Sequence, residues 1–383
     1  MVHETLKSIF TSPTAALNKM TGVSALNDLS TRTYLRWDSP GVENVPADED
    51  ADIHAVADMV NEVQKQAFDT HRHVYTGTHQ RSQGLVKGTF TVPDNLPAYL
   101  KQGELFTKGG TYPAAARYST ETPDVSISDT IPQPRGFAIK LFNVHGDFFE
   151  AGKEYPTQDL EFNSAPVIEL ADAKTTREVL EIRSQAAGDK DKLYKLYEKR
   201  DDTELQKARD KLPNQHLASF RQYSQSAFRF GEYVMKFSLL PNTETQNKLA
   251  NETVKPTDGS DILHRWLGDF HRNHDAEYLF QVQLLENLKD QPVEYSGTEW
   301  DEEKYPWQTV ATLKIPKQES FNYERKAFWE DHMRLDPWHG LKAYQPLGGS
   351  NRLRRYVYQR SSALRREMNG RKEIGVKSID EIP

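Results

Sequence analysis

Two hydrophobic periods alternate along the chain. A helical period predicts a helix over Ile53–Phe68, and short β-rich runs follow at Leu85–Val92, Ala115–Thr120 and Gly136–Val144. Clusters of Gly, Pro, Asp and Asn separate these runs at the spacing of an antiparallel sheet or barrel. Ala173–Leu212 returns to a helical period, rich in charge and in good helix formers, and reads as a solvated helical excursion between strands. Strand signals resume at Phe228–Leu240, Tyr278–Leu285 and Thr309–Ile315, with Pro241 and Pro316 closing the first and last. From Phe321 on the chain is helical and basic. Residues 1–55 are polar and interrupted, ending in Asp48-Glu49-Asp50-Ala51-Asp52. They form an arm with one short helix, which is either a loose tail or packs on a partner subunit. The predicted fold class is α+β. An arm (1–55) precedes a core (56–383), divided into a large antiparallel β-barrel with a helical insertion (56–320) and a helical C-terminal segment (321–383).

Composition narrows the chemistry. The chain has 383 residues, 37% hydrophobic and 27% charged, and its mean hydropathy of −0.76 leaves no apolar run of the length a membrane helix needs. Its start lacks the basic-then-apolar layout of a secretory leader, and it does not end in a peroxisomal address. A cytoplasmic location is therefore expected. With no cysteine, disulfides, thiol nucleophiles, Cys-ligated zinc and iron–sulfur clusters are excluded. A net charge of −7 argues against nucleic acid as a partner, because phosphate binding needs a basic surface. Function must come from His, Tyr, Arg, Asn, carboxylates or a cofactor.

Candidate residues cluster in two places. On a helix, Arg354 and Tyr358 share a face, with Arg365 seven residues beyond the tyrosine. A guanidinium beside a phenol favours phenolate, and tyrosinate can ligate haem iron. Arg352 and Tyr356 have the same spacing, so spacing does not choose the tyrosine, and a basic helix whose tyrosines only pack gives the same pattern. The second place is Thr78-His79, just ahead of a strand, where a histidine can equally be structural. There is no HExxH, no dinucleotide or P-loop glycine pattern and no GxSxG.

Taken in order, several stretches resemble the catalase family. Ala116-Arg-Tyr-Ser-Thr120 followed by Asp129-Thr-Ile-Pro-Gln-Pro-Arg-Gly-Phe-Ala-Ile-Lys140 is similar to the family's ARFST and DPRGFA-type run, and Arg354-x-x-x-Tyr358 to its proximal RxxxY. Tyr223–Lys236, Val293–Trp300, Pro337–Leu341 and Pro346–Arg352 resemble the small catalase-related haem proteins, close to minicatalases and catalase-like allene oxide synthases. The likeness runs over roughly residues 60–370. It implies a catalase-like barrel without a flavodoxin-like domain, holding haem b with Tyr358 as the iron ligand and Arg354 beside it. Arg117 and Arg365 would pair the propionates. His79 would be the distal acid–base residue, Ser119 would orient its ring, and Asn163 would orient the peroxide.

Four departures from the family pattern are visible. Thr78 stands where true catalases have Val, as it does in the allene oxide synthases. Gln133 replaces an acid, Ser164 replaces a second Asn, and Ile168 and Glu169 replace two phenylalanines. The resemblance implies a haem-dependent oxidoreductase that decomposes hydrogen peroxide through a ferryl intermediate. The alternative is conversion of a fatty-acid or other organic hydroperoxide, or biosynthetic haem chemistry on the same scaffold. A non-catalytic haem binder is disfavoured by the retained His79, Ser119 and Asn163. A homo-oligomer, dimer or tetramer, is expected.

Overall fold

The computed structural model describes residues 29–372 and 375–383. Nine strands alternate with helices: β1 (Arg81–Val92), β2 (Gly110–Thr120), β3 (Arg135–Leu141), β4 (Gln158–Asn163), β5 (Gln222–Tyr223), β6 (Phe228–Phe230), β7 (Tyr233–Pro241), β8 (Ala276–Leu284) and β9 (Gln308–Ile315). All pairings are antiparallel, and the β5–β7 pairing joins the two ends of the sheet. Eight strands thus form a closed barrel, and β6 extends β7 as a hairpin. Closure removes the unpaired sheet edges that invite aggregation. Alternate strand residues fill the interior: Tyr118 of β2, Phe137 of β3, Phe162 of β4, and Phe237 and Phe280 opposite. The intervening residues point outward, and on β2–β4 they are polar or small.

Seven helices matter here: α1 (Glu49–His71), α2 (Ala173–Ala186), α3 (Lys190–Tyr197), α4 (Thr203–Ala208), α5 (Ile262–Asn273), α6 (Tyr323–His332) and α7 (Gly349–Met368). Helix α1 opens on Glu49, Asp50 and Asp52, which complement the helix dipole, and stops at Arg72 in a left-handed conformation. Its buried stripe of Ile53, Val56, Ala57 and Val60 packs against Leu353 and Val357 of α7. Helices α2 to α4 form the insertion, with Asp172 capping α2 through Thr175 N–H. Gly348, at φ +84°, starts α7; a Cβ there would meet the Val293 carbonyl oxygen at 2.2 Å.

Two sequence expectations need correction, and some elements went unforeseen. The run Phe228–Leu240 is not one strand but a hairpin, because Gly231 turns the chain at φ +59°. The acidic run at 48–52 is not the tail of an arm, since it opens α1. Strands β4 and β5 and helix α5 are among the new ones. Of the arm, residues 1–28 lie outside the described residues. The described part packs in cis: Leu35 N–H bonds Leu285 O, Val42 is buried, and Glu43 pairs with Arg352.

Candidate active site

Strand register builds one wall of a cavity. Ser119, Gly136 and Asn163 are paired across β2, β3 and β4, and the next outward row is Arg117, Ala138 and Glu161. Helix α7 faces this wall with Arg354, Val357, Tyr358, Ser361, Ser362 and Arg365. The loop before β1 brings Thr78 and His79. Its close approach requires Gly77, whose N–H bonds Ser361 Oγ at 3.1 Å and whose Cβ would stand 2.7 Å from that oxygen. The space between wall and helix, mouth included, is about 1150 Å³.

All eight residues singled out from the sequence line this cavity: Thr78, His79, Arg117, Ser119, Asn163, Arg354, Tyr358 and Arg365. The two tyrosines that spacing left open separate cleanly. Tyr358 faces the cavity, whereas the Tyr356 ring packs 4.4 Å from His54 of α1. Arg352 is structural: it binds Glu43, Glu49 and Glu294 at 2.6–2.7 Å.

On the barrel side, His79 Nδ1 is 3.1 Å from Ser119 Oγ, and the histidine has a left-handed backbone, φ +50°. Gly136 gives the ring its place. A Cβ there would come within 2.5 Å of the imidazole and 2.8 Å of Ser119 Oγ. Burial pushes the His79 pKa down to about 4, opposed by Glu121, so the ring is neutral at pH 7. Asn163 donates from Nδ2 to Glu121 at 3.4 Å, while its Oδ1 is buried with no partner among the described residues. Thr78 is exposed to the cavity mouth, and its hydroxyl makes no hydrogen bond among the described residues.

On the helix side, Tyr358 donates its hydroxyl to Glu161 at 2.9 Å. The pairing with Arg354 inferred from spacing is not a hydrogen bond here. Arg354 Nη1 instead bonds Ser226 Oγ and Asn351 Oδ1, both at 3.1 Å. Burial and the neighbouring Glu161 raise the phenol well above its ordinary pKa, and the charge of Arg354 does not offset them. Tyr358 is therefore a neutral phenol in the absence of a metal. Glu161 itself is raised to about 7 by burial.

Two carboxylates went unnoticed in the sequence, although the strand alternation contains them. Glu121 continues the outward series Arg117–Ser119, and Glu161 lies between Asp159 and Asn163 on the same face of β4.

The residues fit an anionic group. Arg117 donates to Ser82 Oγ at 2.9 Å and to the His79 carbonyl at 2.6 Å, yet no carboxylate pairs with it among the described residues. Burial holds its pKa down to about 10, as expected of a buried cation lacking a counter-charge. The orphaned Asn163 Oδ1 adds unsatisfied polar capacity at the same cavity.

No family model matches the chain. In sequence it is similar to catalases: 30% identical over 102 residues to that of Danio rerio and 33% over 89 residues to that of Ascaris suum. Those stretches are 27% and 23% of this chain but only 19% and 16% of the relatives, so the match spans less than a fifth of their length. In structure it is similar to a fungal catalase, with a TM-score of 0.60 at 17% identity over 82% of this chain and 63% of that one. A bacterial catalase gives 0.58 at 16% identity over 89% and 65%. The fold is that of the catalases, an antiparallel eight-stranded barrel with helices. Over short stretches its sequence is similar to theirs as well.

Proposed function

We propose that the protein is a haem-dependent oxidoreductase acting on peroxides in the manner of a catalase, with hydrogen peroxide as substrate. One observation carries this reading: a single cavity gathers a histidine, serine and asparagine on a barrel wall and a tyrosine with two arginines on the facing helix. Tyr358 would hold the iron and Arg117 and Arg365 the acidic edge of haem b; the bound haem would supply the redox chemistry of O–O cleavage. Arg117 answers its missing counter-charge in this way, since guanidinium and carboxylate match in shape and charge.

The chain's own contributions are orientation and proton handling. Ser119 fixes one nitrogen of His79 and so orients the other for proton transfer with the substrate. Asn163 offers an amide to a peroxide oxygen. The barrel wall excludes bulk water, which strengthens each of these contacts.

A second reading, turnover of an organic hydroperoxide, is favoured by the entrance. Thr78 is exposed at the cavity, where the catalase-like allene oxide synthases share the threonine. A homo-oligomer and a cytoplasmic location complete the proposal; no helix among the described residues is long and apolar enough to cross a membrane. The absorption spectrum of the purified protein is the primary test, with a ferric haem bearing a tyrosinate charge-transfer band expected. A chain that takes up no haem overturns the reading. Oxygen evolution from hydrogen peroxide, measured beside consumption of a fatty-acid hydroperoxide, separates the two substrates.

A further inference from the structure

Glu121 sits just beyond β2, and its side chain is 20% exposed. Its Oε2 lies 3.6 Å from His79 Nε2 and 3.4 Å from Asn163 Nδ2. Its other oxygen is held at 2.6 Å by Arg209, from the helical turn that follows α4, and the same guanidinium nitrogen holds Glu169 at 2.8 Å. One carboxylate oxygen thus reaches both groups assigned to the substrate, while the other is anchored to the insertion.

We propose that Glu121 is a second distal acid–base residue, paired with His79, and that it rather than the imidazole is the first acceptor of the hydroperoxide proton. This deepens the peroxide reading and rests on it.

The hydrogen-bond pattern makes the argument. A carboxylate facing Nε2 favours a proton on that nitrogen, and Ser119 Oγ then donates to Nδ1. In that tautomer neither ring nitrogen has a lone pair free for a new proton. Asn163 also presents a donor on this side. The free Asn163 Oδ1 is an amide oxygen and no base, so the proton acceptor left among the three is Glu121 Oε2. In the step, the hydroperoxide O–H bond breaks and an O–H bond forms on Oε2. The same proton later passes to the departing oxygen, which His79 Nε2–H faces as donor. The carboxylate neither gains nor loses electrons; those come from the haem iron of the proposed function.

The charges around the pair are consistent with this division. Arg117 from β2, Arg354 from α7 and Arg209 from the insertion face it, with Glu169 as the second carboxylate. Burial alone would neutralise Glu121, but the charge and hydrogen bond of Arg209 oppose it and keep the carboxyl below its ordinary value. The same surroundings keep His79 neutral. Acid and base roles are thereby separated between adjacent groups.

Cyanide binding to the haem-loaded protein tests the acceptor, because hydrogen cyanide must shed a proton to bind as the anion. Glu121→Gln is expected to weaken cyanide at least about tenfold, within the scale of about 10²–10⁴ for positioned acid–base groups, and Glu121→Asp to recover part of the loss. Unchanged affinity in Glu121→Gln overturns the proposal. ¹⁵N NMR of the histidines in the haem-free chain supplies a readout independent of haem. His79 should carry its proton on Nε2 in the wild type and shift towards Nδ1 in Glu121→Gln. If Glu121→Gln fails to fold, the wild-type spectrum decides alone, and an Nδ1–H tautomer there overturns the assignment. A chain that binds no haem would defeat the proposed function, while the NMR result would still stand for or against the pairing.

Discussion

His79 lies against Gly136 so closely that a Cβ on the glycine would stand 2.5 Å from both Cε1 and Nδ1 of the imidazole. Glycine at this point of β3 is thus what lets a side chain from the preceding loop rest on the barrel wall beside Ser119. Gly136→Ala is expected to displace the ring, break the His79–Ser119 contact and cost about 1–3 kcal/mol through overpacking. Haem retention should survive, since the groups assigned to hold it lie elsewhere, while peroxide cleavage falls. Normal turnover in this variant would mean that the ring position does not matter. Urea unfolding and activity per haem check the two halves separately.

Tyr358 and Tyr356 offer a sharper comparison, because two residues of sequence separate a cavity-facing phenol from one packed on α1. Tyr358→Phe should abolish or greatly weaken haem retention and leave Glu161 without its donor. Tyr356→Phe should bind haem as the wild type does. Spectroscopic titration with haem distinguishes them, and the reverse outcome would move the metal ligand to the other face of α7.

The sequence disclosed much of this site because motif and period agreed: the outward series Arg117–Ser119 and the helical face Arg354–Tyr358–Arg365 both follow from element geometry alone. Strand β4 escaped because its outward face carries Asp159, Glu161 and Asn163, leaving Leu160 and Phe162 as a short apolar signal. The hairpin at Gly231 was hidden in a run of strand-forming residues that reads as continuous. Glu121 was invisible for another reason. Its significance comes from Arg209, 88 residues away, and no local pattern links them. Arg354 and Tyr358 were correctly placed on one face, but Glu161 from a different strand took the hydrogen bond that spacing assigned to the arginine.

Arg352 binds Glu43, Glu49 and Glu294, joining the arm, α1 and the loop after β8 to the first turn of α7. The guanidinium is 17% exposed and Glu49 only 5%, while Glu43 and Glu294 keep 28% and 27%, so the cluster is half-buried around its Glu49 arm. Arg352→Ala would leave three carboxylates facing one another without a cation. A loss of about 1–3 kcal/mol is expected, below the ~3–5 kcal/mol of a fully buried pair because Glu43 and Glu294 remain partly solvated. Limited proteolysis should then cut first between residues 38 and 48. Wild-type stability in this variant would show that the arm is held by its apolar contacts instead.

The last prediction concerns acid. His271 on α5 is fully buried; its Nε2 meets the Tyr118 hydroxyl at 3.3 Å, and its Nδ1 has no partner among the described residues. Burial, with a small contribution from His216, lowers its pKa from 6.5 to about 3. The folded chain therefore keeps this imidazole neutral in a range where the unfolded chain protonates it. Between pH 6.5 and about 3 the unfolded state binds one more proton at this site, so stability falls as pH is lowered through that window. The slope is about 1.4 kcal/mol per pH unit for each proton taken up. His271→Gln keeps a polar side chain beside Tyr118 and removes the titration. Its unfolding free energy, measured in urea from pH 7 to pH 4, should depend on pH less steeply than that of the wild type by about one proton. Parallel curves for the two proteins would show that His271 is protonated equally in both states. Because the residue lies outside the cavity, the result should be the same with and without haem.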